Sequence, residues 1–139
     1  MTLPMFDPPQ SELGAPFWEA VDAGRLVLPR CSVCGEWQWY PETAGTECAG
    51  GRLVWEPVAS TGTVYSFTRV HRSFLPGGRE HVPYVVGLVD VDGVDGPRLV
   101  ATLDGDTDWR VGDRVEAEFE CLAGRMHPVF RRVAEERHR

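Results

Sequence analysis

The chain has 139 residues, 42% of them hydrophobic, with fourteen arginines, no lysine and a formal net charge of −7. That length suits one ordinary domain or two very small ones, and the apolar content is enough for a packed core without disulfides. The acidic balance argues against a general nucleic-acid surface, where neutralising phosphates supplies most of the binding, and the missing lysine excludes Schiff-base chemistry on a lysine of this chain.

No apolar run approaches the roughly 18–20 residues of a membrane helix. The opening "MTLPMFDPPQ" has neither the basic start nor the apolar stretch of a signal peptide. Four cysteines in such a chain read as reduced thiols or metal ligands, so no membrane association is expected and the cytoplasm is the expected compartment.

In chain order, "SELGAPFWEAVDAGR" predicts a short helix with Ser11 as its cap, Pro16 in its first turn and Gly24 as its stop. Phe17, Ala20 and Val21 form its apolar stripe. "RLVLPRCSVCG" predicts a strand running into a cysteine knuckle, "EWQWYP" a second short strand alternating Trp37 and Trp39, and "GRLVWEPV" a third, with Gly50-Gly51 as its turn. Residues 1–58 are thus expected to form a helix-plus-ribbon module.

From 59 to 133 the pattern is strands only: "GTVYSFTRVHR", "VPYVVGLVDVD", "RLVATLD", "DRVEAEFEC" and "HPVFRRV", bounded by Gly, Pro and Asp. In the fourth, Val115, Ala117 and Phe119 are expected to face in and Glu116, Glu118 and Glu120 to face water. Cys121 in that strand reads as a small buried hydrophobe. The connection "DTDWRVGD" is too short for much helix and ends in a turn. Five such strands suit a small barrel, the OB-fold being the commonest, with a five-stranded sandwich as the structural alternative. Residues 134–139 are a tail.

The cysteines pose a question of ligand number. Cys31 and Cys34 form a C-x-x-C pair followed by Gly35, and only Cys48 arrives downstream, with Gly45 at the position three residues before it. Structural zinc closes a tetrahedron with four ligands. Two readings stay open: zinc on three thiolates with water, Glu42 or Glu47 in the fourth place, or an empty site whose space the tryptophans fill. A redox pair would sit at the start of a helix, and here a Trp-rich strand follows.

The stretch "RVHRSFLPGGREHVPY" gathers Arg69, His71, Arg72, Arg79 and His81 around Phe74 and Leu75, and ends at Tyr84. Basic groups beside aromatics suit a phosphate-bearing ligand with an apolar tail, or a partner surface. The plainer alternative is a polar hairpin loop. No G-x-S-x-G, P-loop or dinucleotide fingerprint is present.

"FWEAVDAGRLVLPRCSVCGEWQWYP", "LVWEPVASTGTVYSFTRVHRSF", "PYVVGLVDVD" and "PRLVATL", in that order, resemble the acyl-CoA-associated zinc-ribbon/OB-fold proteins, also called domain of unknown function thirty-five. The resemblance runs from Phe17 to Arg131. It implies a mainly β fold: an N-terminal helix and a rubredoxin-like zinc ribbon, then a five-stranded OB-fold barrel. Cys31, Cys34 and Cys48 match the family's first, second and fourth metal ligands, and Gly45 stands at the third, so the resemblance implies an incomplete ligand set.

Such proteins accompany thiolase-superfamily enzymes, among them thiolases and the lipid-transfer-protein-like aldolases of steroid side-chain degradation. There they bridge subunits and help form the acyl-CoA channel, while the partner supplies the nucleophile or base. The resemblance therefore implies a non-catalytic accessory subunit in a hetero-oligomer, with zinc on an incomplete ligand set and a CoA ester as ligand. Arg69, His71, Arg72, Phe74, Leu75, Arg79, His81 and Tyr84 are the expected acyl-CoA or partner contacts. Arginine-only usage resembles actinobacterial proteins, which favours a steroid-CoA retro-aldol step. The alternatives are an OB-fold binder of single-stranded nucleic acid and a stand-alone acyl-CoA-binding protein.

Overall fold

Pro16 and Gly24 bracket the first element, as expected. The computed structural model describes residues 13–41, 50–72, 82–122 and 124–133. Helix α1 (Ala15–Asp22) has Gly14 at its N-cap with no side-chain cap, and Pro16 in its first turn; Ser11 lies outside the described residues. At its end the Gly24 amide donates to the Val21 carbonyl at 2.9 Å. Gly24 has φ +78°, a left-handed turn that a side chain would strain. Phe17, Ala20 and Val21 are buried. Among the described residues no helix is long and apolar enough to cross a membrane.

Strands β1 (Leu26–Cys31) and β2 (Leu53–Val58) pair antiparallel, from Leu26 opposite Val58 to Cys31 opposite Leu53. The strand expected in "EWQWYP" does not form. That segment makes an isolated bridge, Arg30 to Trp37, and backbone bonds from the Gln38 amide to the Pro29 carbonyl and from the Cys31 amide to the Glu36 carbonyl, each at 2.9 Å. The tryptophans have other work. Trp39 packs on Phe17 of α1 with ring centroids 4.9 Å apart, and Trp37 lies under the Arg30 guanidinium. They fill the space between helix and ribbon instead of alternating across a ladder.

The remaining strands are β3 (Thr61–Val70), β4 (Tyr84–Val91), β5 (Leu99–Leu103), β6 (Arg114–Leu122) and β7 (Arg125–Arg132), closed in the order β3-β4-β5-β7-β6. Only β5 and β7 pair parallel; β3 returns to β6 through Thr61–Glu116, Gly62–Val115 and Thr63–Arg114. This closed five-stranded barrel is the OB-fold, and closure rules out the sandwich. Val115 and Ala117 are buried and Glu116 and Glu118 exposed, as the alternation requires. Cys121 is exposed, against expectation. It pairs with Met126 next to the β6–β7 turn, at the end of the strand where burial gives way to exposure.

One core serves both modules. Phe17 and Val21 of α1 and Leu26 and Leu28 of β1 join Val64, Val85, Val89, Leu103, Val115 and Phe130 of the barrel. On the barrel side of α1, Trp18 stacks under the Arg125 guanidinium (4.6 Å) and edge-on to the buried His127 (5.6 Å), both from β7.

The β5–β6 connection, read from sequence only as a turn, contributes Trp109 to this core at 4% exposure. Its Nε1 donates to the Asp104 carbonyl at 2.7 Å, so the one polar atom of a large apolar side chain is satisfied inside. Three arginines brace the connection from neighbouring strands. Arg69 of β3 donates to the carbonyls of Gly105 and Thr107, each at 2.9 Å. Arg131 of β7 reaches Asp104 at 3.3 Å, and Arg132 donates to the Asp108 carbonyl at 3.1 Å.

The seam that closes the barrel carries a polar clasp. Arg114 makes a two-pronged contact with Asp92 at 2.9 and 2.6 Å, and Thr61 Oγ1 donates to the same carboxylate at 2.6 Å. These bonds, Arg114's foremost, hold the Asp92 pKa down to about 2 from its ordinary 3.8. A carboxylate depressed on folding stabilises above its unfolded pKa, and that stability is lost as pH falls from about 4 towards 2. Both side chains are more than a third exposed, so solvent screening holds the contribution to about 1 kcal/mol or less. Asp92→Asn is therefore expected to flatten the decline in stability below pH 4, followed by urea unfolding between pH 2 and 7. Parallel declines in variant and wild type would show that the clasp does not set the acid limb.

Candidate partner and metal sites

The cysteine knuckle forms at the end of β1. Residues 32–34 turn sharply, Gly35 takes φ +76°, and its amide donates to the Cys31 carbonyl at 2.9 Å. The Val33 amide points at Cys31 Sγ at 3.4 Å, a donor placed where a thiolate would use it. Cys31 is buried and Cys34 exposed. Around them lies an open groove lined by Arg30, Ser32, Val33, Val54 and Glu56. This geometry fits one half of a tetrahedral thiolate site. The other half cannot be placed: Cys48, Glu42 and Glu47 lie outside the described residues, and among the described residues no three His, Cys, Asp or Glu side chains gather to hold a metal.

Arg30 stands directly on this knuckle. Its Nε donates to the Gly35 carbonyl at 3.1 Å, and its guanidinium carbon lies 4.4 Å from the centre of the Trp37 ring. A cation over an indole is worth about 0.5–2 kcal/mol according to its exposure, and a charged donor to a carbonyl about 1.5–3 kcal/mol. Sequence reading passed Arg30 over. The signal available was its place next to the C-x-x-C pair, seven residues before a tryptophan.

The basic hairpin is only partly described. Phe74, Leu75, Arg79 and His81 lie outside the described residues. His71 and Arg72 are exposed just beyond β3, and Tyr84 begins β4 opposite Val70. Arg69 is set apart from them, because its guanidinium is committed to the Gly105 and Thr107 carbonyls. Nor are the other arginines of the barrel a loose cationic set. Arg131 contacts Glu118 at 2.7 Å as well as Glu120 and Asp104, and Arg98 pairs with Asp90 at 3.0 Å while stacking on Tyr65.

The outer face of β3, β4 and β5 is apolar by comparison. Tyr65 and Val100 are exposed there, Phe67 is exposed on β3, and a shallow groove is lined by Ser66, Phe67, Thr68, Val86, Leu88 and Val100. The ribbon exposes Val33 at 63% and Tyr40 at 60%. Among the described residues they stand with Val111, 67% exposed in the β5–β6 connection, among the exposed large apolar side chains.

Comparison with known proteins accounts for this combination of helix, knuckle and barrel. Residues 18–54 match the ChsH2 rubredoxin-like zinc ribbon domain, and residues 55–120 match the ChsH2 C-terminal OB-fold domain. A solved chain of the Ltp2-ChsH2(DUF35) aldolase is 31% identical, with a TM-score of 0.75, over 90% of this chain and 98% of that one. The chain belongs to the ChsH2/DUF35 family.

A DUF35 protein of unknown function from Sulfolobus solfataricus shares the fold at a TM-score of 0.58 and 16% identity, over 89% of this chain and 87% of the other. A curated relative from Thermomonospora curvata, named a probable enoyl-CoA hydratase alpha subunit, is 38% identical over 92 residues. That match takes in 64% of this chain and spans 27% of the relative's length. Within the family, the knuckle described above is the first half of the zinc ribbon, and the basic hairpin joins the first two strands of the OB-fold domain.

Proposed function

We propose that this chain is a non-catalytic accessory subunit of a thiolase-superfamily acyl-CoA enzyme, a retro-aldolase in preference to a thiolase. It stabilises that partner and helps to form its acyl-CoA site. The observation that carries the reading is the likeness to a chain of the Ltp2-ChsH2(DUF35) aldolase, which takes in helix, ribbon and barrel together. The relative named a hydratase subunit is consistent with it chemically. Adding water to an enoyl-CoA gives a 3-hydroxyacyl-CoA, and a 3-hydroxyl is the group from which retro-aldol cleavage starts. A steroid side chain carried as its CoA ester is the acyl group we favour, in keeping with the resemblance set out above.

The surface supports an accessory role. Exposed apolar side chains on the ribbon (Val33, Tyr40) and on the barrel (Tyr65, Phe67, Val100) are the kind of patch that marks contact with another protein. His71 and Arg72, beside Tyr84 at the hairpin end, are the proposed contacts to CoA phosphates, since charge-assisted arginine bonds are the strong kind. Zinc is proposed on Cys31, Cys34 and Cys48, where it would fasten the ribbon and take no part in the reaction.

Co-expression with the thiolase-like protein encoded nearest to it tests this reading. The two chains are expected to co-elute on size exclusion as one complex, and the partner alone to be insoluble or to aggregate. Separate elution of two well-behaved proteins would count against it. Separate elution together with oligonucleotide binding that weakens steeply with salt would favour the single-strand binder instead.

A further inference from the structure

The knuckle is held from outside as well as from within. Arg30 spans the turn from Cys31 to Trp37: its Nε reaches the Gly35 carbonyl at 3.1 Å, its guanidinium covers the Trp37 ring at 4.4 Å, and a backbone bridge joins the same two residues. Space at Gly35 is shaped to this arginine, because a Cβ there would stand 3.0 Å from Arg30 Nη2. The rest of the turn closes on backbone. The Cys31 amide donates to the Glu36 carbonyl and the Ser32 amide to the Arg52 carbonyl, each at 2.9 Å. The Arg52 amide returns to Ser32 Oγ at 3.2 Å. The Val33 amide adds a contact to Cys31 Sγ at 3.4 Å, and the contacts of Arg30, Ser32 and Arg52 named here involve no sulfur.

We propose that Arg30 is a positioning residue that keeps the Cys31–Cys34 turn in its ligand-ready shape independently of the metal, so that the ribbon stays folded when zinc leaves. The sequence gives a reason for such a device. With glycine at 45, the chain offers three cysteines to the site, and a tetrahedral ion held by three thiolates has an exchangeable fourth position. A ribbon fastened only by that ion would unfold at each loss. A ribbon clasped by Arg30 and Trp37 can lose and regain it.

The test reads the burial of Cys31, which is 3% exposed, in the full-length protein. Zinc-loaded and chelator-treated samples of wild type, Arg30→Met and Trp37→Leu are alkylated with iodoacetamide and mapped by peptide mass, with the exposed Cys121 of the barrel as internal reference. In wild type, Cys31 is expected to react at least about tenfold more slowly than Cys121 both before and after chelation, as burial blocks the thiolate. Arg30→Met is expected to keep that protection when loaded and to lose it about tenfold once chelated. Trp37→Leu, which retains the Gly35 bond, is expected to lose less, and it carries the comparison should Arg30→Met not fold. If purified wild type contains no zinc, the same contrast is read without chelator. The proposal is overturned if chelation exposes Cys31 in wild type as much as in the variants, or if the variants stay protected without metal.

Discussion

Trp109→Ala is expected to cost roughly 3–5 kcal/mol, the range for removing a buried tryptophan side chain. In a domain of this size that lowers Tm by about 10–20 °C. The side chain is 4% exposed and belongs to the same buried cluster as Val85, Leu103 and Phe130, so deleting it opens a cavity in the buried core. The loss also frees the connection it anchors. Asp104 holds that turn through its carbonyl to Trp109 Nε1 and its carboxylate to Thr107 Oγ1, at 2.7 and 3.0 Å. Trp109→Phe separates the two terms: it refills most of the volume and gives up the Nε1 bond, for about 1–2 kcal/mol. Urea unfolding of the three proteins measures both, and a cost under about 1 kcal/mol for Trp109→Ala would mean the connection is not part of the core.

Trp109 also marks where the sequence stopped being legible. The alternation of "DRVEAEFEC" and the Pro16 and Gly24 that bracket "FWEAVDA" are local patterns, set by the period of the pleat and by Pro and Gly conformational limits, and they place β6 and α1, although Gly14 and not Ser11 is the N-cap. "DTDWRVGD" has no period. Its role is carried by one side chain entering a core built from strands elsewhere in the chain. Arg69 failed to declare itself for a related reason. Its partners, the carbonyls of Gly105 and Thr107, lie 36 and 38 residues away, so next to His71 and Arg72 it reads as one more loop cation.

The cysteine region shows the same division. C-x-x-C followed by glycine is a local motif, and the knuckle forms as the spacing requires. The tryptophans after it alternate like a strand, yet Trp39 goes to Phe17 and Trp37 to Arg30. Those contacts depend on where α1 packs against β1, which no window of the ribbon sequence contains. Cys121 kept the inward parity of Val115, Ala117 and Phe119, and parity alone does not say where along a strand the core ends.

On a 3-hydroxyacyl-CoA ester, the isolated chain is expected to give no turnover above background, and the complex with its thiolase-like partner to give a rate higher by about 10²–10⁴, the scale on which positioned acid–base groups act. Retro-aldol cleavage needs a base for the hydroxyl proton and a place for the electrons of the breaking bond. A lysine imine on this chain is excluded, because it has no lysine. Among the described residues, Cys121 and His127 are also poorly matched. Cys121 pairs with Met126 and His127 with Glu120, so the two point to opposite faces of the β6–β7 hairpin. His127 itself is buried against Trp18, while His71 is exposed beyond the end of β3. In the proposed division of labour the partner brings the base, and this chain brings surface and shape. Loss of the CoA ester, followed by chromatography for each chain alone and for the two together, measures it. Sustained cleavage by this chain alone would place the catalytic groups here and overturn the division.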